Sequence, residues 1–161
     1  MGLLEHIEIN PSTEAKSTII WLHGMGSDGH DFEAIVPELN LSKDSSIRFI
    51  FPHAPMRSLT INEGAEMRAW YDFLHHSETA GTNDIAESTA QVEQFIAQEI
   101  DRGISSQNIL LAGFSQGGVI ALNAGTRFNK RLAGILAIST YLHDFVGTQD
   151  KMSDANLAIP I

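Results

Sequence analysis

The sequence predicts an α/β fold, a mostly parallel sheet flanked by helices, and three observations lead there. Short apolar runs recur at residues 17–22, 47–51, 108–114 and 132–139, each the length of a strand covered on both faces. Between the second and third runs lies a long apolar stripe at helical spacing, residues 84–102, and a small-residue segment, 117–124, joins the last two. Strand, helix, strand, helix, strand in that order implies parallel units with right-handed crossovers. With 161 residues, 43% of them hydrophobic, the chain is long enough for one core, so a single domain over 1–161 is expected.

Taken in order, residues 4–9 alternate apolar and polar side chains, the period of a half-buried edge strand, and Asn10-Pro11-Ser12 ends it. Residues 17–22 form a buried strand leading into His23-Gly24-Met25-Gly26-Ser27. Phe32, Ile35, Val36 and Leu39 fall at helical spacing over 31–39, with Pro37 leaving the helix's extent open. Residues 47–51 form a strand stopped by Pro52, and 53–72 read as a long excursion with one helical turn near Met67. In the helix 84–102 the stripe is Ile85, Thr89, Val92, Ile96 and Ile100, and Gly103 follows as its C′ residue. Residues 140–154 read as loop, and 156–161 as the start of one more core strand.

Twenty acidic against ten basic residues give a net charge of −10, a field that repels phosphate backbones and anionic membranes, so no nucleic-acid partner is expected. The absence of cysteine removes disulfides and thiolate chemistry. No signal-peptide pattern and no run of about 18 apolar residues is present, which fits a cytoplasmic protein with no stable membrane insertion.

The chemistry is carried by Gly113-Phe114-Ser115-Gln116-Gly117, a G-x-S-x-G string between a strand and a helix. Its glycines permit a sharp turn that presents the Ser115 hydroxyl, and Gly118 extends the permissive stretch. A nucleophilic serine needs two amide donors for the negative charge its attack creates. The amide after the nucleophile, that of Gln116, is one; the loop His23-Gly24-Met25-Gly26 is placed for the other, with the Met25 amide as the expected donor. His23, Gly24 and Gly26, like Gly113, Gly117 and Gly118, are expected to be structural.

Residues 21–26 (Trp-Leu-His-Gly-Met-Gly), 51–55 (Phe-Pro-His-Ala-Pro), 67–72 (Met-Arg-Ala-Trp-Tyr-Asp) and 112–118 (Ala-Gly-Phe-Ser-Gln-Gly-Gly) resemble, in the same order, the phospholipase/carboxylesterase family that includes acyl-protein thioesterases. The resemblance implies an α/β-hydrolase cleaving carboxylic esters, and in some members thioesters or lysophospholipids, through a Ser-Asp-His triad and without a cofactor. It implies Ser115 as nucleophile, the Met25 and Gln116 amides as oxyanion donors, and Trp70 in the wall of an acyl pocket. In the family the triad aspartate and histidine follow the strand that Ala158-Ile159-Pro160-Ile161 resembles. Both are therefore expected to be absent from this chain, as are the C-terminal strands and helices. An incomplete domain of this kind is expected to have little activity alone. It could instead serve only as a binding or assembly module, through self-association, or be one half of a two-chain enzyme, pairing with the missing C-terminal segment.

The other residues carry weaker expectations. His143-Asp144 are adjacent in sequence, which makes a relay with Ser115 awkward. His23 and His53 read as braces for their loops, and His6, His75 and His76 as surface residues. No His-Glu-x-x-His spacing or similar set points to a metal. Trp70 and Tyr71 fit either core packing or contact with an acyl chain, with Phe73 and Leu74 adding apolar surface. Arg68 is placed to pair with a carboxylate or carbonyl of its loop.

Overall fold

The computed structural model describes residues 2–42, 45–73 and 81–161. Five strands form one sheet: β1 (His6–Ile9), β2 (Ser17–Leu22), β3 (Ile47–Pro52), β6 (Ile109–Phe114) and β7 (Gly134–Ile138). Their order is β1-β3-β2-β6-β7, with β1 antiparallel to β3 and every other pair parallel. A separate hairpin joins β4 (Met56–Leu59) to β5 (Ala65–Arg68).

Both faces of the sheet are covered, which is why its strands read as nearly continuous apolar runs. On one face Ile20, Leu22, Ile50 and Leu111 pack with Val92, Phe95 and Ile96 of α3 (Thr82–Asp101) and with Val119 and Ile120 of α4 (Gln116–Arg127). On the other, Trp21, Phe49, Phe51 and Ala112 pack with Phe32, Ile35 and Val36 of two short helices, α1 (His30–Glu33) and α2 (Ile35–Glu38). The alternation of side chains along β2 sends Ile20 and Leu22 one way and Trp21 the other. No described helix is long and apolar enough to cross a membrane.

Four elements depart from expectation, each for a physical reason. The helix foreseen over 31–39 breaks at Ala34, because Pro37 has no N–H to give the carbonyl four residues back. Around Met67 there is no helical turn. Residues 56–68 form the hairpin, turning through a 3-10 segment at Thr60–Asn62 and through Glu63 and Gly64, both at positive φ (54° and 84°). The stretch 140–154 contains α5 (Phe145–Lys151), whose Gly147 amide donates to the Asp144 carboxylate (3.0 Å). Its Val146 is exposed, so no apolar stripe announced it.

Residues 156–161 are not a strand. A 3-10 turn at Asp154–Asn156 precedes an extended tail whose Pro160 carbonyl accepts from the Ile135 amide of β7 (2.9 Å). Pro160 has no donor to continue a ladder. Buried Asn156 anchors the tail instead, accepting from the Leu132 amide and donating to the carbonyls of Phe128 and Lys130.

His6 is half-buried rather than on the surface: its ring stands edge-on to Phe95 at 5.1 Å, and Nδ1 bonds the Leu4 carbonyl. Leu74, His75 and His76 lie outside the described residues.

Candidate active site

The chain runs from β2 to β3 on one side, then returns to β6 on the other, so a crevice opens beyond the carboxyl ends of β2 and β6. Such switch points are where open parallel sheets take their ligands. Both glycine-bearing segments end there: residues 23–26 leave β2, and Ser115 leaves β6.

Ser115 sits at φ 52° and ψ −118°, a conformation that side-chain-bearing residues rarely adopt. Its surroundings hold it there. The Ser115 amide donates to the Ile138 carbonyl (2.9 Å), while its own carbonyl accepts from the Gly118 amide (3.0 Å) and the Thr140 hydroxyl (2.7 Å). The tight corner explains two of the glycines. A Cβ at Gly117 would lie 2.5 Å from the carbonyl oxygens of Leu22 and His23, and one at Gly113 would strike the backbone of Gly117 and Gly118. Gly118 faces the Thr140 side chain, and Gly24 packs against Phe114 and the Cβ of Ser115, so the two loops meet directly.

Ser115 remains half-exposed and opens on a cleft of about 180 Å³ lined by Met25, Tyr71, Phe73, Ser115, Gln116, Ser139 and Tyr141. The three residues expected to carry attack and charge stabilisation, Ser115, Met25 and Gln116, are thus brought to one cavity. Trp70 is not among its lining and is fully buried, with its indole N–H bonded to the His23 carbonyl (2.9 Å). Tyr71 and Phe73 stand in the wall where Trp70 was expected. The reason is polar as well as steric: the indole N–H needs an acceptor in the interior and finds one on the first glycine loop.

His23 is fully buried and both ring nitrogens are engaged, Nδ1 with the Gly24 carbonyl (2.7 Å) and Nε2 with the Ala54 amide (3.0 Å). The amide must donate, so Nε2 accepts and Nδ1 carries the proton: a neutral ring. Burial accordingly holds its pKa below the ordinary 6.5. His53 accepts the Gly29 amide at Nδ1 (2.9 Å), and burial lowers its pKa too. Both are occupied as loop braces. Gly26 donates its amide to the Arg68 carbonyl (2.8 Å), and Arg68 donates to the Ala54 carbonyl (2.9 Å), with Glu5 at 3.8 Å.

His143 is buried with no hydrogen-bond partner at Nε2, while the Asp144 carboxylate serves the Gly147 amide. Neither lines the cleft. Across the cleft the hydroxyls of Tyr71 and Tyr141 bond at 3.0 Å, and burial, then that bond, push the Tyr71 pKa up. Two contributors were invisible in the sequence: Thr140, which braces the Ser115 carbonyl, and the Gln116 side chain, which bonds the backbone of residues 70 and 71. No spacing rule announces contacts between segments 25 and 46 residues apart.

Known proteins resemble this chain in sequence and fold. The sequence model of the phospholipase/carboxylesterase family matches residues 5–161. Acyl-protein thioesterase 1 of Schizosaccharomyces pombe is 38% identical over 141 residues, covering 86% of this chain and 62% of that protein. The Cryptococcus neoformans protein of the same name is 34% identical over 144 residues, covering 86% and 60%. The chain thus spans about three-fifths of the length of these relatives. Among solved structures, Arabidopsis thaliana SOBER1 superposes with a TM-score of 0.80 at 30% identity, covering 88% of this chain and 69% of that one. Esterase PE8 gives 0.78 at 26% identity, covering 94% and 71%. Motif order, elbow geometry and likeness along nearly the whole chain agree: the chain is an α/β-hydrolase core and belongs to the phospholipase/carboxylesterase family.

Proposed function

We propose that Ser115 is the nucleophile of a hydrolase acting on small carboxylic esters or thioesters, lysophospholipids falling within the same reaction class. The observation that carries this is the strained backbone at Ser115, held half-exposed in one cleft with Met25 and Gln116. Strain concentrates where geometry serves a reaction.

In the proposed mechanism Oγ attacks the acyl carbonyl as its proton passes to a base. The oxyanion that forms is received by the Met25 and Gln116 amides, and collapse expels the alcohol or thiol. Water then cleaves the acyl-enzyme by the reverse proton path. Among the described residues, no histidine or carboxylate lines the cleft. His23 and His53 are occupied by backbone groups; the family resemblance instead supports a base and a carboxylate partner that follow the stretch that Ala158–Ile161 resembles.

The test is reaction of the protein, supplied with the segment that carries the base, with a fluorophosphonate and with p-nitrophenyl acetate. An adduct at Ser115 is expected, together with loss of turnover by about 10⁴-fold in Ser115→Ala; turnover that survives that change intact would falsify the assignment. A second reading rests on β7, the sheet-edge strand whose Leu136 is exposed: pairing with a second copy or a separate segment, without catalysis. A pure assembly module leaves Ser115 unlabelled.

A further inference from the structure

We infer that the Gln116 side chain is a positioning residue for this reaction, pinning the backbone of residues 70 and 71 to the nucleophile corner. The inference rests on the hydrolase reading above and concerns a group that reading does not use, the carboxamide rather than the amide.

Gln116 opens α4, yet its side chain turns inward and is buried. Oε1 accepts from the Trp70 amide at 2.7 Å, and Nε2 donates to the Tyr71 carbonyl at 2.6 Å. Glutamine presents an acceptor and a donor on one planar head, which matches the Trp70 amide and the Tyr71 carbonyl that the bend at residues 70 and 71 turns toward it. The same segment grips the other glycine loop: the Gly26 amide donates to the Arg68 carbonyl, and the Trp70 indole donates to the His23 carbonyl. Ser88 donates to the Trp70 carbonyl from α3 (2.5 Å). Residues 68–71 therefore bridge the loop carrying Met25 and the corner carrying Ser115, with Gln116 as the fastening on the second side.

The consequence is preorganisation. Donors for an oxyanion work when held in place before charge develops, and their contribution is realised in the transition state rather than in substrate binding. A Gln116 backbone anchored through its own side chain has little freedom to turn its amide away. Tyr71, on the pinned segment, also lines the cleft.

The experiment is phosphonylation of Ser115 in the protein supplied with the segment that carries the base, followed by intact mass, for the parent, Gln116→Met and Gln116→Glu. In Gln116→Met, which keeps the volume and loses both bonds, the limiting rate is expected to fall about tenfold. The probe concentration for half-saturation and the final labelled fraction should not change. A merely structural glutamine lowers the labelled fraction and leaves the rate of the labelled molecules at the parent value.

Gln116→Glu supplies the control for folding. Its neutral carboxyl group can accept from Trp70 and donate to Tyr71, whereas its carboxylate faces a carbonyl. Normalised to the parent at each pH, its rate should approach unity in acid and drop about tenfold as the carboxyl ionises. A ratio flat with pH overturns the inference, as do variants that react like the parent. A parent that gives no Ser115 adduct overturns the hydrolase reading and takes this one with it.

Discussion

His23 shows how a single residue links the site to the stability of the molecule. Its neutral ring ties the Gly24 carbonyl to the Ala54 amide in a water-free position, and burial sets its folded pKa below 6.5. In the unfolded chain the ring takes up a proton first as pH falls, so the unfolded state binds more protons and stability declines with falling pH. The contribution is complete above about pH 6.5 and is lost between there and the folded pKa, with His53 acting in the same direction. Urea midpoints at about pH 7.5 and about pH 5.5 should therefore differ, with the lower value in acid. In His23→Gln that difference should shrink, whatever the absolute stability of the variant; an undiminished difference assigns the effect elsewhere. At this scale the sequence was informative where backbone geometry demands particular residues, as at Gly113-Phe114-Ser115-Gln116-Gly117. It was silent on Thr140 and on the Gln116 carboxamide, whose roles exist only once distant segments meet. It misplaced Trp70, since an aromatic next to a cleft and one directly behind it share the same local pattern.

Among the elements, α3 is tied to the sheet by charge as well as by its apolar stripe. Glu99, fully buried on this helix, accepts from Thr18 of β2 (2.5 Å), Arg48 of β3 (2.7 Å) and Arg102 (3.0 Å). Arg102 continues to Glu8 of β1 (2.7 Å). Two strands and the helix thus converge on one carboxylate at the end of the sheet opposite the cleft, and a third strand joins through Arg102. Removing Glu99 takes from Arg48, whose side chain is only 16% exposed, its 2.7 Å carboxylate partner and leaves it Asn10 (2.8 Å) and the more distant Glu8 (3.6 Å). Glu99→Ala is expected to lower unfolding free energy by about 3 kcal/mol, at the low end for a broken buried pair because Arg102 can reach water. Equilibrium urea denaturation measures this, and a loss below about 1 kcal/mol would show the network to be solvated. The strands and α3 were legible because both faces of the sheet are covered and α3 has a long single-sided stripe. The hairpin and α5 were not. The hairpin pairs strands of four residues outside the sheet, and α5 is capped by Asp144 with no apolar face to reveal it.

At the level of the whole molecule, β1 and β7 flank β3, β2 and β6. Native-state hydrogen exchange should therefore be slowest in β3, β2 and β6, which carry partners on both sides, and faster in β1 and in the β4–β5 hairpin. Protection in β1 equal to that in β6 would contradict the observed order. The parallel core was foreseeable from the alternation of strands and helices, whereas the reversed direction of β1 was not, because a half-buried strand reads alike in either orientation. Leu22 pairs with Gly113 in the ladder between β2 and β6, and the loops that follow carry Met25 and Ser115. Neighbouring strands lie about 4.8 Å apart, so hydrogen bonding between β2 and β6 acts as the ruler for the spacing of Met25 and Ser115. Side chains around the crevice can be exchanged without moving the strands, but a slip of one residue along that ladder would put Met25 and Ser115 out of step, and no substitution in the lining could restore them.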